Sequence, residues 1–269
     1  MFKKLTNQLF MNGGQKSISV SGYKSFLKKS FYSVLILSIA FRVLYCLFCA
    51  YIEDDTGLYL NIARAFYLDQ SLPKFDLNFY PLLISYGMHC GFDPITVAYF
   101  LSLLSSIILL FVTYGIGKLI FKRRFYAIIA LGVVGSHPKL IALGSRLIRD
   151  GHYLMLFAVT VYFLLKAYKN KNCFYWFLSG GFTALASAFR KEGAELIVFI
   201  VLSLLFILFS SKENIKIQML LFVRNMFIAL TGFMLTFAFI NYLIYDELRL
   251  ENNIVVHCLQ KLKNVKKWD

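Results

Sequence analysis

Three consecutive acidic residues, Glu53, Asp54 and Asp55, are the first group in this sequence that could carry acid–base chemistry. They directly follow a hydrophobic segment, and Tyr59 and Phe66 continue at helical spacing from Asp55. Neighbouring carboxylates repel one another, which raises their proton affinity and suits a general base or a cation site. One of these acids could instead cap the amino terminus of a short amphipathic helix. The spacing alone leaves both roles open.

Cations of later segments form a second group that could do chemistry. Arginine binds phosphate through paired, charge-assisted hydrogen bonds and stabilises negative charge on a departing phosphate. A pocket with carboxylates on one wall and arginines on the other suits transfer from a lipid-linked phosphate donor, with a carboxylate taking a proton from an acceptor hydroxyl. Anionic lipid head groups or helix ends could also account for these charges. The cations are Lys139, Arg146, Arg149, Arg190 and Lys191.

The elements that must position these groups are membrane-spanning helices. Hydrophobic residues make up 59% of the chain and charged residues 16%, whereas about a quarter of the residues of an ordinary soluble domain are charged. We therefore predict an all-α polytopic membrane protein with about seven spans, since a span needs about 20 apolar residues. Pro138 should break the third of them. The predicted spans are 31–51, 94–117, 125–148, 151–165, 173–189, 196–211 and 225–245.

The distribution of charge predicts how the chain is organised across the membrane. The first thirty residues hold six lysines and no acid, so we predict a basic cytoplasmic arm over 1–30 and no nucleic-acid partner. The transmembrane domain would cover 31–245, with a first outer loop over 52–93 that contains short amphipathic helices, and a tail would follow over 246–269. Alternating the spans places the acids and the cations named above on one extracytoplasmic face of a bacterial inner or plasma membrane.

Four short motifs on that face resemble a known family in their order and spacing. The family is the GT-C glycosyltransferases of the dolichyl-phosphate-mannose protein mannosyltransferase type, which includes the bacterial members of glycosyltransferase family 39. The resemblance covers roughly residues 31–211. The motifs are Asp55-Thr-Gly-Leu-Tyr59 with Ala63, Phe79-Tyr-Pro81-Leu-Leu83, Arg149-Asp150, and Ala188-Phe-Arg190-Lys-Glu192-Gly193.

The resemblance implies a membrane glycosyltransferase that transfers a sugar, with inversion, from a polyprenyl-phosphate donor to a glycan, lipid or protein acceptor. It implies Asp55 as the catalytic base, with Asp54 as second choice, while Asp150 could supply a second carboxylate. Many family members have glutamate where this chain has Thr56. We predict no cofactor and leave a divalent metal open. The residues expected to bind the donor phosphate are Arg146, Arg149, Arg190 and Lys191.

Glu192, Tyr59 and Tyr80 are predicted to support this site. Each also has a structural interpretation that the sequence leaves open. Glu192 could form an interfacial ion pair with Arg190, and Tyr59 could be a packing residue. Tyr80 and Pro81 are expected to shape the turn that leads into the second span.

Other roles for the charged residues, and other classes of protein, remain open at this stage. Arg149 and Asp150 could pair with each other or cap the fourth span, and Arg42 inside the first span is expected to snorkel or pack. A transporter or channel could use the same charges, although transporters favour ionisable groups near the midplane of the bilayer. The chain could also be an inactive or partial GT-C subunit, because its basic tail conflicts with the positive-inside count.

The predicted orientation can be checked with topology reporters. A reporter fused after Leu72 should report the extracytoplasmic side, and one fused after Phe121 should report the cytoplasm, because one span separates the two positions. Activity of a phosphatase that works only outside the cytoplasm is the measurement. Two fusions reporting the same side would contradict the alternation on which the predicted site depends.

Overall fold

The computed structural model describes residues 20–49, 54–68, 79–210 and 215–265. It describes side chains within 22–49, 55–68, 79–209 and 215–244. Glu53, the side chain of Asp54, most of the predicted basic arm and the side chains of the predicted tail lie outside the described residues.

Helices account for nearly all of the described chain. In the described ranges we number ten α-helices in chain order, and a short 3-10 helix, Lys191–Glu195, lies between α8 and α9. The α-helices are α1 (Val20–Phe48), α2 (Asp54–Tyr67), α3 (Phe79–His89), α4 (Pro94–Ile120), α5 (Arg124–Ser136), α6 (Pro138–Leu143), α7 (Asp150–Asn170), α8 (Cys173–Phe189), α9 (Leu196–Ser210) and α10 (Ile215–Val265).

The predicted fold class is confirmed. Within the described residues, five helical segments are long and apolar enough to cross a membrane: Gly22–Phe48, Pro94–Ile120, Asp150–Asn170, Lys191–Phe209 and Ile215–Ile244. Two shorter apolar helices, α5 and α8, correspond to the remaining predicted spans. The chain is an integral membrane protein, and two short helices, α2 and α3, occupy its first predicted outer loop.

Several helices extend beyond their predicted hydrophobic bounds. α1 begins at Val20 rather than at residue 31, α7 continues to Asn170, and α10 continues to Val265. Hydrophobicity marks only the part of a helix inside the bilayer, whereas lysine favours helix and lets the same helix continue into the head-group region. The third span, in contrast, is shorter than predicted. Its second part, α6, ends at Leu143 instead of near residue 148.

The break at Pro138 is stabilised by a buried arginine of α1. Proline has no N–H, so the carbonyl group of Val134 loses its usual helical donor. Arg42, which is 1% exposed, donates from Nη2 to the Val134 carbonyl at 3.1 Å and from Nη1 to the Gly135 carbonyl at 2.9 Å. Its Nε donates to Ser106 Oγ of α4 at 2.6 Å. Arg42 therefore packs, as predicted, and links α1, α4 and α5.

The helices of the first predicted outer loop close one end of the bundle, which we call the α2 end. A buried cluster joins α2 and α3 to the first two turns of α4 and α7, to the connection before α7, to the first turn of α9 and to the last turn of α8. A second cluster joins the same two helices to α10 near Ile240 and Ile244. Because the first cluster lies where spans begin or end, it positions the connections between the spans. Its buried members are Tyr59, Leu60, Ala63, Tyr80, Ile84, Ala98, Leu147, Leu156, Ala186, Phe189 and Leu196.

Removing the guanidinium of Arg42 should destabilise the bundle. We expect Arg42→Ala to lower the free energy of unfolding by about 3 kcal/mol, because two carbonyl groups in an apolar interior lose their donors. Arg42→Lys should lie in between, since one ammonium cannot reach all three partners. The measurement is thermal unfolding in detergent, with Arg224→Ala, the loss of an exposed arginine of α10, as the matched control. Equal unfolding temperatures for Arg42→Ala and the wild type would contradict this role.

Candidate active site

The first turn of α2 is held against the connection that leads into α7. Thr56 is 1% exposed, and its hydroxyl donates to the Leu147 carbonyl at 3.4 Å. One turn later Tyr59 is buried, with its ring edge-on to the ring of Tyr80 at a centroid distance of 5.6 Å. These contacts fix the turn that carries Asp55, whose own side chain is exposed.

Tyr59 shows that the predicted charged residues come together. Its hydroxyl interacts electrostatically with Asp55 of its own helix, with Arg149 and Asp150 at the start of α7, and with Arg190 after α8. Burial raises the pKa of Tyr59, Arg149 and Arg190 oppose that rise, and the two carboxylates add to it. Charged groups from three separate segments of the chain therefore lie within electrostatic range of one hydroxyl at the α2 end.

Arg190 bridges two of these segments. Its Nη1 donates to Asp150 Oδ1 at 2.8 Å, and its Nη2 and Nε donate to the Glu192 carboxylate at 3.1 and 3.3 Å. These interactions raise the pKa of Arg190, with the Glu192 hydrogen bond contributing most. The predicted Arg190–Glu192 ion pair is confirmed, whereas Asp150 pairs with Arg190 rather than with the adjacent Arg149.

The remaining predicted cations lie around this bridge. Arg149 occupies the N-cap position of α7 without a side-chain cap hydrogen bond, and it lies within electrostatic range of Glu192 as well as Tyr59. Arg146 is exposed, and its carbonyl accepts a hydrogen bond from Ser102 at 2.9 Å. Lys191 is exposed at the start of the 3-10 helix. Their roles in binding phosphate stay predictions.

Three more of the residues singled out in the sequence lie in the first turns of α2 and α3. Asp54, the second choice for the base, is the first residue of α2, but its side chain lies outside the described residues. The expectation that Tyr80 and Pro81 shape a turn is wrong, because both lie in the first turn of α3, where proline's missing N–H costs nothing. Tyr80 is completely buried, and burial raises the pKa of its hydroxyl, which therefore stays neutral.

Sequence reasoning missed three aromatic residues near the charged groups: Tyr153, His152 and Phe189. The guanidinium of Arg190 lies over the ring of Tyr153 at 5.7 Å, and Tyr153 follows Asp150 at a spacing of one helical turn. His152 is buried, stacks on Phe189 at 5.1 Å and packs against Tyr80 at 4.8 Å. The only signal in the sequence that His152 lies near the site was its position two residues after Asp150. Together these contacts link the rings of His152, Phe189 and Tyr80 and place the ring of Tyr153 against Arg190.

The described residues offer limited means of holding a metal ion. Magnesium and calcium are bound chiefly by clustered oxygen ligands. Among the described side chains, no group of three histidine, cysteine, aspartate or glutamate residues could hold a metal. Asp150, the predicted second carboxylate, is bound to Arg190 instead. A divalent metal therefore stays an open prediction, and no step below depends on one.

Comparison with known families decides the class of protein. A family model described as dolichyl-phosphate-mannose-protein mannosyltransferase matches residues 79–239, which is more than half of the chain. The chain belongs to this family. It is a membrane glycosyltransferase of the GT-C type, and the matched segment includes Asp150, Arg190 and Glu192. The match begins at Phe79, so Asp55 lies outside it. No curated protein matches the chain.

The backbone beneath Glu192 should tolerate no added side chain. A Cβ on Gly193 would overlap the main chain of α8 at Ala186 and Ser187, so the 3-10 helix that carries Lys191 and Glu192 would have to shift. We expect Gly193→Ala to cost about 1–3 kcal/mol of stability. Gly57→Ala in α2 is the matched control, because nothing lies within 4 Å of its Cβ and alanine favours helix. Thermal unfolding in detergent compares them, and equal losses would refute the close packing.

Proposed function

We propose that this family member transfers a sugar from a polyprenyl-phosphate donor to a hydroxyl group of a glycan, lipid or protein acceptor at the extracytoplasmic face. The single observation that carries the proposal is the meeting of Asp55, Arg149, Asp150 and Arg190 around Tyr59 at the α2 end. These groups combine an acid–base residue with phosphate-binding cations, and family membership supplies the type of reaction.

Asp55 is the proposed general base. Its carboxylate is exposed and makes no hydrogen bond or ion pair with the side chains that the structure describes, so it is accessible to an incoming hydroxyl group. Asp150 is less suited, since Arg190 donates to Asp150 Oδ1 at 2.8 Å and that carboxylate is therefore already paired. Asp55 takes the acceptor's proton as the acceptor oxygen bonds to the anomeric carbon. The bond from that carbon to the phosphate oxygen breaks, and the phosphate leaves with the electron pair, which inverts the configuration.

Arg149 is the proposed primary ligand of the donor phosphate. Three nitrogens of Arg190 already donate to Asp150 and Glu192. The main role of that guanidinium is therefore to hold these two carboxylates in place. Arg149 has no such hydrogen bond or ion pair in the described part of the chain, although its charge reaches Tyr59 and Glu192. A cation held near its carboxylate neighbours but unpaired can bind the phosphate and stabilise the charge that develops on it. Arg146 and Lys191 add positive charge nearby.

The position of these groups at the ends of spans suits a lipid-linked donor. Asp150 opens a span, and Arg190 lies between α8 and the Lys191–Phe209 segment, so both lie near the head-group level. A polyprenyl chain can remain in the hydrocarbon while its phosphate meets these residues. The proposed placement of this end outside the cell is supported by the basic residues at the opposite ends of the spans, through the positive-inside tendency.

Substituting Asp55 tests the base. In membranes that express the protein, Asp55→Asn should lower transfer of radiolabelled sugar from a polyprenyl-phosphate donor by about 10²–10⁴-fold, which is the usual contribution of a general base. Arg149→Ala should also lower transfer, whereas Arg149→Lys should retain part of it because the charge remains.

Asp93→Asn is the matched control. Asp93 caps α4 through hydrogen bonds from Ile95 and Thr96, and asparagine can accept the same bonds, so this variant should stay active. Full activity of Asp55→Asn would exclude Asp55 as the base, and loss only in Asp54→Asn would reassign the role. If the wild type transfers no sugar from any polyprenyl-phosphate donor, a transporter or a non-catalytic subunit becomes the better interpretation.

A further inference from the structure

A second site lies at the end of the bundle opposite to α2. Here the start of α1, the end of α4 and the start of α5 line an open cavity of about 720 Å³, which we call the basic pocket. α4 reaches from its first turn at the α2 end to this pocket, and its 27 residues span about 40 Å. The pocket is therefore separate from the candidate active site. Its lining residues that carry the argument are Lys24, Lys28, Phe31, Tyr114, Arg123 and Arg124.

The pocket is strongly cationic. Five cations line it, because Lys122 joins the two lysines of α1 and the two arginines at the start of α5. All five are exposed, and their side chains make no hydrogen bond or ion pair within the described ranges. α1, α4, α5 and the connection between α4 and α5 contain no aspartate or glutamate. The positive charge is therefore not neutralised by the walls of the pocket.

The backbone at the pocket also favours an anion. α5 begins at Arg124, and the N-cap residue Arg123 makes no side-chain cap hydrogen bond. The first N–H groups of a helix and the positive end of its dipole attract negative charge. Lys24 and Lys28 are four residues apart, so they lie on one face of α1 and add to the same field.

Below the cations the wall of the pocket is apolar and aromatic. Phe31 and Tyr114 lie 4.3 Å apart between ring centroids, and both pack against the buried cluster of Leu35, Leu110 and Leu131. Tyr23 and Tyr32 of the lining are 45% and 49% exposed, which is typical of tyrosine at a membrane interface. A charged mouth above an apolar wall fits an amphiphile better than a free anion.

We propose that the basic pocket binds the phosphate of an anionic phospholipid, whose acyl chain packs against α1 and α4 in the leaflet opposite to the candidate active site. The lysines and arginines bind the phosphate, and the aromatic wall contacts the glycerol backbone and the first part of the acyl chain. A bound lipid would also hold α1 against α4 and α5, since all three line the pocket.

Lipid binding to the purified protein in detergent tests this site. Native mass spectrometry would compare phosphatidylglycerol with phosphatidylcholine of the same acyl chains. The wild type should bind phosphatidylglycerol more tightly. Lys28→Gln combined with Arg124→Gln should weaken that binding roughly 30-fold, because each cation near a lipid phosphate contributes about fivefold.

The control variant removes the same charge at the same end of the bundle. Lys29→Gln combined with Lys171→Gln alters two exposed cations that do not line the basic pocket, and it should keep most of the preference. A photoreactive phosphatidylglycerol should in addition crosslink to α1 and α5 in the wild type and lose those crosslinks in the pocket variant.

Four outcomes would overturn the proposal. They are equal losses in the two double variants, no difference between the two phospholipids, displacement of the lipid by millimolar inorganic phosphate, and tighter binding of a polyprenyl phosphate than of phosphatidylglycerol at this pocket. Because the readout is lipid retention, the result does not depend on whether the protein transfers sugar.

Discussion

The structure depends on the requirement that backbone polar groups inside a bilayer find partners within the protein. Continuous helices meet that requirement by themselves, so the critical places are the interruptions. At Pro138 the guanidinium of Arg42 donates to carbonyl groups that the break leaves without helical donors. Between α8 and α9 the chain stays hydrogen-bonded through a 3-10 helix, with the Gly193 N–H donating to the Arg190 carbonyl at 2.8 Å. Both solutions place polar side chains in fixed positions.

The same requirement explains why the charged residues of the candidate site are ordered. Arg190 and Lys191 follow α8 without a long loop, and Arg149 and Asp150 begin α7 directly. The Arg190 bridges to Asp150 and Glu192 are partly exposed, so they add little to stability. Their consequence is geometric, since they hold the start of α7 and the end of α8 at a set distance beside α2.

The two ends of the bundle differ in their electrostatic character. At the α2 end carboxylates and cations both lie within electrostatic range of Tyr59, a combination suited to proton transfer next to a phosphate. At the other end the only charged residues that line the basic pocket, among the described residues, are cations. This asymmetry accords with a protein that performs chemistry at one membrane surface and binds lipid at the other, as we propose.

The sequence by itself determined the features that depend on local chemistry. The hydrophobic runs predicted the membrane helices, and Pro138 predicted the break in the third span. The short separation of Arg190 and Glu192 in the sequence predicted their ion pair. Only the tertiary structure decided that Arg42 would serve carbonyl groups more than ninety residues away and that Asp150 would pair with Arg190 across 40 residues. It also placed Tyr80 in a helix and His152 beneath the site. Hydrophobic length and backbone chemistry are local properties, whereas these contacts depend on which helix ends pack together, and the sequence pattern does not encode that packing.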